Sequence, residues 1–418
     1  MVAPTRGVSL ILAGIVLCGC GAGAATARPT AAQSAALHIP LATAADTSGQ
    51  GATTEGVSGA SAWAIVPMGD LKDPSDTFWQ VFVLAGAHRS WTLVTPEGVA
   101  DNGGLVGSLI SAGGVVGVES SGLLGFSPVA ATTSGGARWT TGVLPGPLAP
   151  VPDSVAAAPG GRLLALLGAS GSSVVASSDD ASGTTRTISF RSALAASAAR
   201  SCQLTALTAV AFGPAGQPLA AGRCEALSRL GIFELEGRSW KLVGPPVPVP
   251  ALTEGVTSHQ RASALRSAAS RSVITQVLRL WTYGTEMAAL AEAVSADGTV
   301  TLFKLTWSRG RGWTPSPVFD LPPCERLIAT GEGAGGSSFV LMSRAGSLSG
   351  EELLATGRRW SKLPTPPADT ATFLLESDGV TEALAVHGWT LVVYALRATG
   401  TWKRVQIVDV PAQAATPS

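Results

Sequence analysis

The sequence predicts an all-β chain in which a small four-stranded sheet is repeated around a common hub. Three observations carry that expectation. Tryptophans recur at a nearly constant interval, each just after a small turn. Short apolar or alternating runs fill the intervals and are punctuated by Gly, Pro, Asn and Asp, as strands are. Gly (50) and Pro (27) are abundant enough to supply a tight turn after nearly every run.

The amino terminus comes first. Arg6 gives it a positive start, Val8 to Val16 form a short apolar run, and Leu17-Cys18-Gly19-Cys20 closes that run. The run is shorter than the roughly 20 apolar residues a membrane span needs, and it reads as an export signal. The closing tetrapeptide resembles the lipobox of bacterial lipoproteins, in which a small residue precedes a cysteine that receives diacylglycerol before cleavage. That resemblance implies a signal peptide over residues 1–19, a lipid on Cys20, and a mature protein held on the extracytoplasmic side of the cell membrane. Cys18 departs from the Ala, Ser or Thr usual at its position, and a secreted soluble form is the alternative.

Residues 20–59 are rich in Ala, Thr, Gly and Ser and carry few large apolar side chains. Such a segment cannot bury enough surface to fold alone and is expected to be a flexible tether. The propeller domain is expected over 60–412, and 413–418 as a frayed tail.

Within the domain the recurring unit is a turn, an aromatic and a β-like run. It appears at Trp91, Trp139, Phe190 (a degenerate copy), Trp240, Trp313, Trp360 and Trp402. The successive spacings are 48, 51, 50, 73, 47 and 42 residues, so five of six match the length of a four-stranded blade. The long interval is expected to hold an insertion around Thr257 to Ser272. A four-stranded sheet cannot cover both its faces alone, whereas radial stacking buries them. The indole is then expected at the start of an outer strand, between neighbouring blades. Small residues such as Ala206, Ala209 and Ala211 suit a crowded innermost strand. The reading is a single β-propeller of about seven blades, with six or eight open and two β-sandwiches as the competing fold. The strand around Trp63 is expected to complete the last blade.

One turn carries a family likeness. Thr132-Thr133-Ser134-Gly135-Gly136-Ala137-Arg138-Trp139 resembles the Asp-box of sialidase-type propellers, Ser/Thr-x-Asp-x-Gly-x-x-Trp, with Ser134 in place of the aspartate. Ser177-Ser178-Asp179 and Ser295-Ala296-Asp297-Gly298 are looser echoes. In that family the box is a structural turn between the outer two strands of a blade, so the likeness implies architecture and not catalysis.

Composition excludes some classes. Lys+Arg and Asp+Glu are equal at 28 each, which leaves no net field to draw in nucleic acid. The four histidines are far apart and no Cys-x-x-Cys occurs, so no metal site or cofactor is expected. Cys202 and Cys224 flank two strands around a Gly213-Pro214-Ala215-Gly216 turn, which would set them side by side for a disulfide in an oxidising compartment. Cys324 is left over.

Catalytic residues find little support. A sialidase-like enzyme would need three converging arginines and a tyrosine–glutamate nucleophile; the Arg-Ile-Pro start of that family is absent. Tyr283 with Glu286 is the best nucleophile pair, against a simpler reading of Tyr283 as a partly buried strand aromatic. Glu234/Glu236, Asp179/Asp180, Glu292/Asp297 and Glu351/Glu352 are conceivable carboxylate pairs for glycoside hydrolysis. The acidic loop Gly69 to Asp76 could ligate a cation, though a solvated surface loop accounts for it more simply. The expectation is therefore a non-catalytic, lipid-anchored binding module with the membrane as one partner and a protein or glycan at its loop face. An envelope assembly factor and a sialidase-like hydrolase are the alternatives. The arginine-bearing stretch Ser258 to Leu280 is the first choice for a partner contact.

Overall fold

The computed structural model describes residues 54–58, 61–69, 77–85, 90–95, 105–111, 114–119, 127–132, 138–144, 146, 149, 151, 153–158, 162–168, 174–178, 185–189, 201–225, 229–237, 239–247, 274–294, 300–321, 325–333, 335–344, 350–356, 359–364, 367, 373–377 and 379–411. Among these the strands fall into consecutive antiparallel units of four. The first unit is β1 (Thr54–Ser58), β2 (Ser61–Gly69), β3 (Thr77–Ala85) and β4 (Ser90–Leu93). The second is β5 (Leu105–Ser111), β6 (Gly114–Glu119), β7 (Ser127–Thr132) and β8 (Thr140–Leu144). The third is β9 (Val155–Ala157), β10 (Leu163–Leu167), β11 (Val174–Ser178) and β12 (Thr185–Ser189). The fourth is β13 (Leu204–Phe212), β14 (Pro218–Cys224), β15 (Gly231–Glu236) and β16 (Ser239–Leu242). The fifth is β17 (Ile274–Tyr283), β18 (Glu286–Val294), β19 (Val300–Ser308) and β20 (Gly312–Asp320). The sixth is β21 (Glu325–Glu332), β22 (Ser338–Arg344), β23 (Gly350–Thr356) and β24 (Arg359–Lys362). The seventh is β25 (Phe373–Ser377), β26 (Val380–His387), β27 (Thr390–Leu396) and β28 (Trp402–Asp409).

The first strand of every unit touches the first strand of the next, and β25 returns to β1, so the inner strands form a closed circuit. This is a β-propeller. The fourth and fifth units are further joined into one eight-stranded sheet, because Arg223 and Cys224 of β14 pair with Gln276 and Thr275 of β17.

Side chains alternate across each strand, and here both faces are apolar. Along β2, Ala62, Ala64, Val66 and Met68 face the seventh unit, while Trp63 and Ile65 face the second. Along β18, Met287, Ala289, Ala291 and Ala293 face the fourth unit, and Ala288 and Leu290 face the sixth. A strand buried on both sides reads as a continuous apolar run, and the small alanines let neighbouring sheets approach closely.

Two expectations change. Strand β1 lies inside the segment taken as tether to residue 59, because it pairs with β2 from Thr54↔Ile65 to Ser58↔Ser61. Trp63 therefore lies on the second strand of the first unit and does not complete the last blade. With its own β1 in place, the first unit needs no strand from the seventh. The ring is closed instead by packing and by hydrogen bonds such as Gly69 N to Gly388 O at 3.0 Å. The expected insertion Thr257 to Ser272 and Cys324 lie outside the described residues, as do Cys20 and the Asp297 echo.

Candidate functional site

The inner strands bring three charged side chains together at the hub. Arg279 lies in mid-β17, beside a bulge between Val277 and Arg279 that re-aims its side chain. Its Nε donates to Asp153 Oδ1 at 2.9 Å and its Nη2 to Glu332 Oε1 at 2.9 Å. Its Nη1 donates to the Thr330 carbonyl at 2.8 Å. Asp153 also accepts the Leu280 backbone N–H on Oδ2 at 2.6 Å. All three charged residues are buried. Burial pushes the Asp153 carboxyl above its ordinary range, and the Arg279 guanidinium and the Leu280 amide oppose that rise. The cluster ties the third, fifth and sixth units with charge-assisted bonds.

Further bonds join neighbouring units around the same ring. Thr208 donates to the Val277 carbonyl at 2.6 Å. Arg162 donates to the Gly216 carbonyl at 3.1 Å, and its guanidinium lies over the Phe212 ring, 5.1 Å from the centroid. Trp281 donates its indole N–H to the Gly333 carbonyl at 3.3 Å.

The Tyr283 phenol donates to Glu286 Oε2 at 3.0 Å across the β17–β18 turn. Burial, that bond and the carboxylate charge together hold the phenol well above its ordinary range. A hydroxyl on a carboxylate is also the contact of a base-activated nucleophile, so the packing around the pair decides between the two readings. The Tyr283 ring covers Gly336, where any Cβ would collide with it. The pair therefore fits a packed seam better than a reaction centre.

A third polar set crosses the eight-stranded sheet. Arg223, Gln276 and Glu292 are successive cross-strand partners on one face. Burial pushes Glu292 up to about 7, with Arg223 lowering it in part. Glu292 Oε1 and Arg223 Nε have no hydrogen-bond partner.

The repeat aromatics occupy equivalent places. Trp91, Trp240, Trp313 and Trp360 are each the second residue of a unit's fourth strand, Trp402 is the first residue of β28, and Trp139 immediately precedes β8. Each lies against the preceding unit: Trp139 with Trp63 and Ile65, Trp240 with Leu164 and Leu166, Trp313 with Ala209 and Leu219, Trp360 with Leu290, and Trp402 with Phe339. Trp91 of the first unit packs on Leu384, Leu391 and Val393 of the seventh. Phe190 lies outside the described residues. The Asp-box-like motif spans the junction of β7 and β8, with residues 133–137 outside the described set.

Cys202 and Cys224 form a disulfide, with Cα atoms 5.2 Å apart, closing the β13–β14 hairpin at its open end. Of the carboxylate pairs, Glu236 makes an exposed ion pair with Lys241 at 3.1 Å, and Asp179, Asp180 and Asp297 lie outside the described residues. Nothing is described of the side chains of Glu351 and Glu352. The acidic loop 70–76 is also outside the described set. Among the described residues no group of three or more His, Cys, Asp or Glu is placed to hold a metal.

Sequence reasoning missed Asp153 and Glu332, and it placed Arg279 in the partner-contact stretch Ser258 to Leu280, whereas Ile274 to Leu280 belong to β17 and Arg279 is buried there. The only signal was an arginine inside an otherwise apolar strand, Val277-Leu278-Arg279-Leu280-Trp281, where a charge has to be paired.

No protein-family model matches the chain. No curated protein matches it either. Solved structures do. A protein from Lactobacillus plantarum superposes with a TM-score of 0.48 at 12% identity, covering 84% of this chain and 97% of that one. The periplasmic gluconolactonase of Pseudomonas aeruginosa gives 0.45 at 14% identity, covering 83% and 96%. TolB from Acinetobacter baumannii gives 0.39 at 8% identity, covering 84% and 64%. Every one of these TM-scores is below 0.5 and every identity below 15%, so the likenesses assign this chain no family and no activity.

Proposed function

We propose that this chain is a lipid-anchored, extracytoplasmic β-propeller that acts as a non-catalytic binding module for a protein or an envelope polymer. Residues 1–19 are its signal peptide, Cys20 carries the lipid, and the segment up to Thr54 is the tether. The observation that carries the non-catalytic reading is the hub. Arg279, Asp153 and Glu332 are spent on one another across three units. Tyr283 is packed against Gly336 with its phenol on Glu286. The export reading is supported by the Leu17-Cys18-Gly19-Cys20 sequence and by the Cys202–Cys224 disulfide, which suits an oxidising compartment.

The test has two arms. Cells fed an alkyne fatty acid should yield labelled protein in the membrane fraction, and Cys20→Ala should abolish the label; a wild-type chain that takes up no label ends the anchor. Crosslinking of the anchored protein, followed by identification of bound proteins and glycans, should find a partner at a loop face. A stoichiometric envelope complex would make it an assembly factor. Release of sugar from an envelope glycan, lost in Glu286→Gln, would make it a hydrolase and overturn the binding-module reading.

A further inference from the structure

Formal charge sums to zero over the whole chain, yet the two ends of the propeller differ. In an antiparallel unit of four, the turns after the first and third strands emerge at one end, and the turn after the second at the other. The described third-to-fourth turns carry arginine. Arg138 precedes β8, Arg309 and Arg311 lie between β19 and β20, Arg359 opens β24, and Arg397 lies between β27 and β28. All five are exposed, and exposed Lys403 and Arg404 follow on β28. In the sequence, Arg89, Arg238 and Arg358, like Arg311, stand two residues ahead of a tryptophan. The third unit departs from the pattern with Asp179-Asp180.

Of the acidic residues at this end, Glu236 pairs with Lys241 and Glu286 accepts from Tyr283, while Glu376 lies one residue from the end of β25. The opposite end is mixed. Asp320 and Asp409 close outer strands there and Glu225 follows β14, all three exposed, beside exposed Arg229 and exposed Lys362, the last residue of β24.

We propose that the arginine-bearing end docks on an anionic lipid surface, the headgroups of the membrane to which the chain is tethered. The third-to-fourth turns of all units emerge at the same end of the ring. A flat anionic sheet can meet all of them together, whereas a linear polymer or a peptide can meet only a few. Guanidinium groups suit phosphate oxygens, which they can bond in pairs. The docked propeller would present its mixed-charge end to the envelope space. The anchor reading supplies the identity of the membrane, but the contact itself is measurable without the lipid.

The experiment uses the unacylated chain beginning at Gly21, which keeps every described strand, and vesicles of phosphatidylcholine with or without 40 mol% phosphatidylglycerol (about that fraction suffices for a strongly negative surface). Co-sedimentation is expected with the anionic vesicles only, and is expected to fall away as salt is raised. The variant Arg309→Gln, Arg311→Gln, Arg359→Gln, Arg397→Gln is expected to bind on the order of 100-fold more weakly at low salt, since each cation at such a surface contributes several-fold. An unchanged melting temperature will show that the variant folds. Equal binding to both vesicle types, undiminished binding by the variant, or binding to soluble polyglutamate without binding to vesicles would overturn the proposal. Fatty-acid labelling at Cys20 reports separately on the anchor, so either reading can fail alone.

Discussion

Trp91 of the first unit donates its indole N–H to Glu382 of the seventh across 3.2 Å, although 291 residues separate them. The same tryptophan donates its backbone N–H to Gln406 Oε1 at 2.8 Å and accepts from Gln406 Nε2 on its carbonyl at 2.8 Å. One residue of an outer strand thus joins the two ends of the domain. Trp91→Ala removes a fully buried indole and leaves the Glu382 carboxylate without that donor. It is expected to cost about 3–5 kcal/mol, read from urea unfolding. A loss under 1 kcal/mol would mean that the ring does not close there.

The hub cluster makes a second prediction. Arg279→Met leaves Asp153 and Glu332 buried without their cation and is expected to destabilise by about 3–5 kcal/mol. The triple variant Arg279→Met, Asp153→Leu, Glu332→Leu removes the stranded charges and should recover much of that loss. If the triple variant is worse than the single one, the cluster is not a simple buried ion network.

Glu292 sets a pH dependence. Its folded-state value, about 7, lies above the ordinary 4.5, so the folded protein holds this proton more tightly than the unfolded chain does. The contribution is fully present below pH 4.5 and declines as pH rises through 7. At 1.36 kcal/mol per pH unit the interval amounts to roughly 3 kcal/mol. Chemical denaturation between pH 5 and pH 8 should therefore show a decline that Glu292→Gln flattens. A wild-type slope unchanged by the substitution would assign the effect to another group.

The disulfide closes a loop with a sequence separation of 22 residues. Replacing both cysteines by serine should cost about 3 kcal/mol on loop-closure arguments. Unfolding under non-reducing conditions checks it against the parent. No change in midpoint would mean that the hairpin is already closed in the unfolded chain.

The fold was legible because one indole recurs at one place in a unit of nearly fixed length. Trp240, Trp313 and Trp360 announce their fourth strands by a local turn that needs no tertiary information. The Cys202–Cys224 bridge was legible for the same reason, since a hairpin turn between them brings their strands together. Strand β1 was not. Thr54 to Ser58 is a run of small and polar residues whose strand character comes only from its partner, Ala62 to Ile65. The hub was hidden more deeply. Arg279 meets Asp153 from 126 residues away, and no spacing rule connects residues that meet only when the circle closes.

Each indole seated on the preceding unit has a consequence for synthesis. The seat for Trp91 is built from Leu384, Leu391 and Val393, near the end of the chain. A chain made from its amino terminus presents the indole long before that seat exists. The first unit then has to wait, with an apolar flank uncovered, until almost the last strand has been made. Joining of the first unit to the seventh is therefore a late event, whatever order the middle units fold in.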